Sequence, residues 1–234
     1  MFVIVVAAIV AALAVIDPEA MTLLERASAT LAQAHTIVVW ARLEREEVGS
    51  SGQIFNSYTD MEAMIMRPDG LFMATVGDRL SYATWYYSGV LTVYLPMAKT
   101  YGKVELGMSD DALIAALYGQ LHFPSTLAEF LESNPYSRFL DEVKTARVIG
   151  TVRAGDALCK QLAFTGNETD WQLWVTIDDA NPLPARIAVI SKKQPGMPRA
   201  VIEFMKWDLN GPLSPSVFKF KPPAGARAVS IQWQ

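Results

Sequence analysis

The sequence predicts an α+β domain built on one highly curved antiparallel sheet of about 10–11 strands with a single helical insertion. Three observations lead there. Short runs with period-two alternation recur between residues 37 and 209, as half-buried strands do. In the run from residue 71 to residue 95 they are separated by two or three turn-forming residues, too few to cross over into parallel pairs. Helical spacing appears near the start and again between residues 109 and 143.

Asp17-Pro18-Glu19 supplies an N-cap, a proline at the first helical position and an acid at the positive end of the dipole. Met21, Leu24, Ala27, Leu31 and Ala34 then follow at spacings of three and four, predicting a helix over 18–34 with one stripe on the sheet. A long strand is expected over 37–48, with Val39, Ala41 and Leu43 alternating with Arg42, Glu44 and Glu46. Residues 60–67 form the next strand, with Met61, Ala63 and Ile65 on one face, and Pro68-Asp69-Gly70 turns the chain. A meander continues over 71–76, 80–87, 90–95 and 99–106. Ser109-Asp110-Asp111 caps a helix through 112–118, Pro124 opens another over 125–131, and a third short piece is expected around 137–143. Strands resume at 148–152, 158–164, 171–177, 183–191 and 200–209.

With 234 residues, 51% hydrophobic and 19% charged, the chain can bury a sizeable core, and one domain over 15–234 is expected. A net charge of -4 without any run of like charge argues against nucleic-acid partners. Residues 2–16 are almost wholly apolar, and Ala12-Leu13-Ala14 has the small-x-small pattern of a cleavage site, so residues 1–14 read as a signal peptide without the usual early Lys or Arg. The alternative is an uncleaved anchor, although the apolar stretch is short of the roughly 20 residues a spanning helix needs. A single cysteine fits an exported protein that uses no disulfide.

Catalytic chemistry is poorly supplied. His35 sits at a helix-to-strand junction and His122 ahead of a proline-started helix, positions typical of solvated or capping histidines. Asp110-Asp111, Asp141-Glu142 and Asp178-Asp179 are explained by capping, a solvated face and turn chemistry. Neither a metal-spaced cluster nor a glycine-rich phosphate loop is present, so no catalytic residue, metal or cofactor is assigned. Cys159 lies in a strand pattern as a small hydrophobe. The sequence is instead rich in apolar contact area, with 10 Met, 6 Trp, 8 Tyr and 10 Phe. By the period-two assignment Val39, Ala41, Leu43, Met61, Ile65, Leu173 and Val175 face inward, and they are the candidate ligand-binding residues together with Trp85 and Tyr87. A continuous packed core would use the same residues.

The segment Phe218-Lys219-Phe220-Lys221-Pro222-Pro223-Ala224-Gly225-Ala226 resembles the terminal FxFxPPxGA signature of the LolA-like outer-membrane lipoprotein carrier superfamily. Arg67-Pro68-Asp69, Tyr94-Leu95-Pro96, Gly155 with Cys159 and Leu162-Ala163-Phe164, and Asp170-Trp171-Gln172-Leu173-Trp174 are similar to an uncharacterised family of predicted periplasmic proteins allied to that fold. The resemblance, covering roughly residues 18–226, implies an incomplete β-barrel whose open side is covered by helices, with the stretches 18–34 and 109–131 as lids over an apolar cavity for acyl chains. It further implies a monomeric, non-enzymatic periplasmic carrier or chaperone-like protein whose partners are a lipid or acylated protein, with envelope membrane proteins as donors or acceptors. The paired pattern by which lipoprotein carriers dock to their inner-membrane transporter is not found. The alternative is an envelope sensor or protein-interaction module with a filled core.

Overall fold

Asp17 accepts a hydrogen bond from the Glu19 backbone N–H at 2.9 Å, and the first helix, α1 (Pro18–Ala32), starts where the cap and proline dictate. Ala20, Leu24, Ala27 and Leu31 form its buried stripe. The computed structural model describes residues 15–68, 70–121, 125–178 and 180–231. The signal peptide assigned to 1–14, with Asp69, His122, Pro124 and Asp179, lies outside them.

The first half of the sheet is an antiparallel meander of β1 (Thr36–Val48), β2 (Ile54–Met66), β3 (Gly70–Gly77), β4 (Ser81–Tyr87), β5 (Val90–Leu95) and β6 (Thr100–Glu105). Helices α2 (Asp110–Leu121), α3 (Ser125–Leu131) and α4 (Pro135–Leu140) follow. A second antiparallel meander then runs through β7 (Thr145–Ala154), β8 (Ala157–Thr165), β9 (Thr169–Thr176), β10 (Pro184–Ser191) and β11 (Arg199–Leu209). The halves join where β11 pairs with β1, from Ile37 opposite Leu209 to Arg45 opposite Ala200. With a final two-residue strand, β12 (Arg227–Ala228), the described residues form one 12-stranded sheet in the order β12-β6-β5-β4-β3-β2-β1-β11-β10-β9-β8-β7. The sheet does not close. Inward side chains from both halves nevertheless pack into one cluster with the helices, which requires the sheet to curl around them as an incomplete barrel.

Three departures from the expected elements have local causes. β2 begins at Ile54, well before residue 60, because Asn56, Ser57 and Tyr58 extend the β1–β2 hairpin beyond the core with no apolar alternation to mark it. The third helical piece starts at Pro135, where the Asn134 side chain caps the Ser137 backbone N–H. β12 pairs parallel to β6 through Arg227 and Ala228, too short a run to leave a sequence pattern.

The segment carrying the FxFxPPxGA signature is a strap. Ser214 caps a 3-10 turn over Pro215–Phe218, and Phe218 is buried against Gly70, where a Cβ would come within 3.0 Å of its ring. Phe220 lies among Trp85, Tyr101 and Tyr94, with ring centroids at 4.8, 5.0 and 5.7 Å. Beyond β12, Ile231 lies over Gly102, where any side chain would overlap it. Truncating Phe220→Ala is expected to cost about 2 kcal/mol, roughly half the loss for a fully buried Phe. Urea denaturation measures this; an unchanged midpoint would show that the strap adds nothing to stability.

Candidate functional site

The inner face of the sheet is set by register. Across β1 and β2, Ile37 faces Ile65, Val39 faces Ala63 and Ala41 faces Met61. On the other side of β1, Val39 faces Trp207 and Leu43 faces Ile202. Leu173 of β9 continues this wall between Ile187 and Leu162. Val39, Ala41, Leu43, Met61, Ile65, Leu173 and Val175 are all brought into this one face and are at most 5% exposed. Leu24 and Leu31 of α1, Leu113, Ile114 and Leu117 of α2, and Leu127, Phe130 and Leu131 of α3 roof it. Ile65, Leu173 and Val175 are 0% exposed, so no water-sized space touches them and the trough at these positions is filled by its own roof.

Trp85 and Tyr87 lie on the opposite face, which corrects their assignment to the cavity. Trp85 packs on Phe72 and Phe220, and Tyr87 stacks on Phe218 with the rings 6.5 Å apart. Their neighbours Thr84 and Tyr86 are the buried, inward residues of β4. Alternation gave no sign here because β4 carries large side chains on both faces, the outer one being covered by the strap.

An aromatic seam crosses beneath the roof. Trp207 and Phe204 of β11 are 5.0 Å apart, Phe204 meets Phe130 of α3 edge-on at 5.7 Å, and Phe130 meets Phe139 of α4 at 4.9 Å. Phe139 then reaches Trp171 at 5.2 Å, and Trp171 stacks on Phe164 at 3.8 Å. Polar clasps hold the roof's ends. Arg67 donates to the carbonyls of Leu131 and Glu132 at 3.0 and 3.2 Å, capping the C-terminus of α3. The Tyr86 hydroxyl donates toward Met108 and Leu106 carbonyls at 2.7 and 3.1 Å. Asp111 accepts from the Ser133 backbone N–H at 2.8 Å and from the Ser133 hydroxyl. Arg67 belongs to the Arg67-Pro68-Asp69 motif, but its capping role depends on tertiary placement and leaves no periodic signal.

Burial displaces Glu129 and Tyr82 furthest among the described residues. Glu129 on α3 is pushed up to about 7, chiefly by desolvation and then by Glu142, with Arg138 opposing. Burial also pushes the Tyr82 phenol up to about 12, against an opposing contribution from Thr75 beside it. That contact falls short of hydrogen-bond geometry: Thr75 Oγ1 is buried without a partner, as is Thr84 Oγ1.

A separate open groove of about 520 Å³ lies between α1, the β9–β10 connection and the end of β11. Arg26, Gln33, Asn181 and Asn210 border it, with Leu183, Trp207 and Leu209 beneath. Asn210 accepts from the His35 backbone N–H at 2.9 Å, and Trp207 Nε1 donates to the Pro184 carbonyl at 2.8 Å. Two further carboxylates have local partners. Asp178 accepts from the backbone N–H groups of Ala180 and Asn181, and Glu142 from the Thr169 hydroxyl at 3.2 Å. Cys159 is buried, and desolvation raises its thiol pKa.

The family model described as "Predicted periplasmic protein (DUF2092)" matches residues 20–232. No curated protein matches the sequence. Among solved structures, LprF from Mycobacterium bovis aligns at TM-score 0.52 and 11% identity, over 91% of this chain and 100% of that one. An uncharacterized conserved protein from Thermus thermophilus aligns at TM-score 0.51 and 11% identity, over 91% and 99%. A LolA superfamily protein from Nitrosomonas europaea aligns at TM-score 0.41 and 13% identity, over 86% and 97%. At these identities the likeness to LprF and to the Thermus protein is one of fold alone.

Proposed function

Since the chain belongs to the DUF2092 family of predicted periplasmic proteins, we propose that it acts in the periplasm as a non-enzymatic binding protein, a carrier or chaperone-like protein that takes acyl chains of a lipid or lipid-modified protein beneath its helical roof. The observation that carries this reading is the unbroken apolar inner wall, from Leu71 and Ile65 through Val39 to Ile187 and Leu173, under helices pinned by a few polar clasps. Burial of methylenes at ~0.8 kcal/mol each gives an ordinary acyl chain on the order of 10 kcal/mol of gross driving force. That is enough to offset a displacement of roof side chains, because the wall exchanges one apolar cover for another.

A second reading, a protein-interaction or sensor module with a permanently filled core, is favoured by the complete burial of Ile65, Leu173 and Val175. Organic extraction of protein recovered from the periplasm, followed by lipid mass spectrometry and titration of the delipidated protein with a fluorescent fatty-acyl probe, separates the two. The carrier reading expects co-purifying acyl lipid and saturable probe binding. Protein that carries no lipid and binds no probe would instead be an interaction module.

A further inference from the structure

Most of the inner wall is hydrocarbon, but on β3 and β4 it carries hydroxyls. Thr75 pairs with Tyr82 and Thr84 with Met73, so alternation places Thr75, Tyr82, Thr84 and Tyr86 on the same face as Leu71 and Met73. Thr84 is 0% exposed and Thr75 4%, and both hydroxyl oxygens lack a hydrogen-bond partner. A buried hydroxyl without a partner is destabilising, and valine fills the same volume without that cost. Two such groups, diagonal neighbours across one strand pair, are poor packing choices and good hydrogen-bond donors in waiting. No charged side chain shares the inward positions of β3 and β4 among the described residues, so the pair suits a neutral acceptor rather than an anion.

We infer that Thr75 and Thr84 form a neutral hydrogen-bonding subsite within the trough that receives the carbonyl of an acyl ester or amide, and so selects acylated ligands over plain hydrocarbon or alkyl ether chains. This rests on the acyl-binding reading above. A carbonyl oxygen offers two lone pairs and each threonine one O–H, so a single ester satisfies both hydroxyls when the chain replaces the side chains that bury them. The acyl tail would then run along Met73, Leu71 and Ile65 toward β1, where the wall is wholly apolar.

The test displaces a fluorescent fatty-acyl probe from the full-length protein with 1-palmitoylglycerol or with its ether twin, 1-O-hexadecylglycerol, which differ in the carbonyl. The parent is expected to prefer the ester by about tenfold, the scale of one net hydrogen bond. Thr75→Val/Thr84→Val is expected to bind both alike at the ether's affinity, with a urea midpoint no lower than the parent's. Equal affinity of the parent for the two, or a preference that survives the double substitution, overturns the subsite while leaving acyl binding intact. A marked loss of stability in the double variant also overturns it, since the hydroxyls would then be structurally satisfied. A parent that binds neither the probe nor either competitor overturns the acyl-binding reading and the subsite with it.

Discussion

Replacing Phe130 with alanine is expected to destabilise the protein by about 3–5 kcal/mol, the range for truncating a fully buried aromatic side chain. Phe130 is 0% exposed and is the link in the aromatic seam between the roof and β11, touching Phe139 on one side and Phe204 on the other. Its loss leaves a cavity bounded by rings that cannot collapse onto one another without moving α3. The urea midpoint should fall accordingly. If acyl ligands enter by displacing the roof, association of the fatty-acyl probe should also accelerate in Phe130→Ala, because part of the displacement has already been made. A variant that loses stability without any gain in association rate would place the entry route elsewhere than under α3.

The second large effect is a dependence on pH centred on Glu129. Its carboxyl is raised from 4.5 to about 7 by desolvation, by Glu142 and more weakly by Glu132, while Arg138 pulls it down. The folded state therefore holds a proton that the unfolded chain releases between about pH 4.5 and 7. Unfolding free energy falls as pH rises through that window, by up to about 3 kcal/mol, and is flat above it. Glu132, also raised by burial, acts in the same direction. The lowered carboxyls of Asp60, Glu168 and Asp178 act oppositely, but only below about pH 4, where they protonate. A higher urea midpoint at pH 5.5 than at pH 8 is expected, with Glu129→Gln flattening the difference and gaining stability at pH 8. A parent as stable at pH 8 as at pH 5.5 would contradict the buried setting of this carboxyl.

The sequence was most legible where one face of a strand is wet. In β1, Arg42 and Glu44 fix the phase of Val39, Ala41 and Leu43, and Gln172 does the same for Leu173 and Val175; all five inward residues occupy the inner wall. The turns were equally direct, since Gly and Asp at residues 77–78 and 155–156 leave little room for other connections. Legibility failed where both faces are covered. Trp85 and Tyr87 look as apolar as Tyr86, and only the strap, arriving from far along the chain, decides which side is the core. Glu129 leaves no signal in the sequence for a related reason. A glutamate in a short helix reads as solvent-facing, and its displacement comes from packing among α3, α4 and Glu142 that no local pattern encodes. That the wall is filled at Ile65, Leu173 and Val175 was equally invisible, because a lining and a core draw on the same side chains.

The seam between β1 and β11 sets the order in which the molecule can be made. β1 finds β2 within one hairpin, but its other edge must wait for β11, and the register from Ile37 to Leu209 spans most of the chain. Loop closure over that distance is slow relative to hairpin formation. A chain crossing a membrane amino-terminus first therefore presents the β1–β6 meander with a long edge unsatisfied while the second half is still arriving. Until β11 docks, that edge is open to any extended segment nearby, and assembly of the two half-sheets becomes a race between synthesis and capture by another chain.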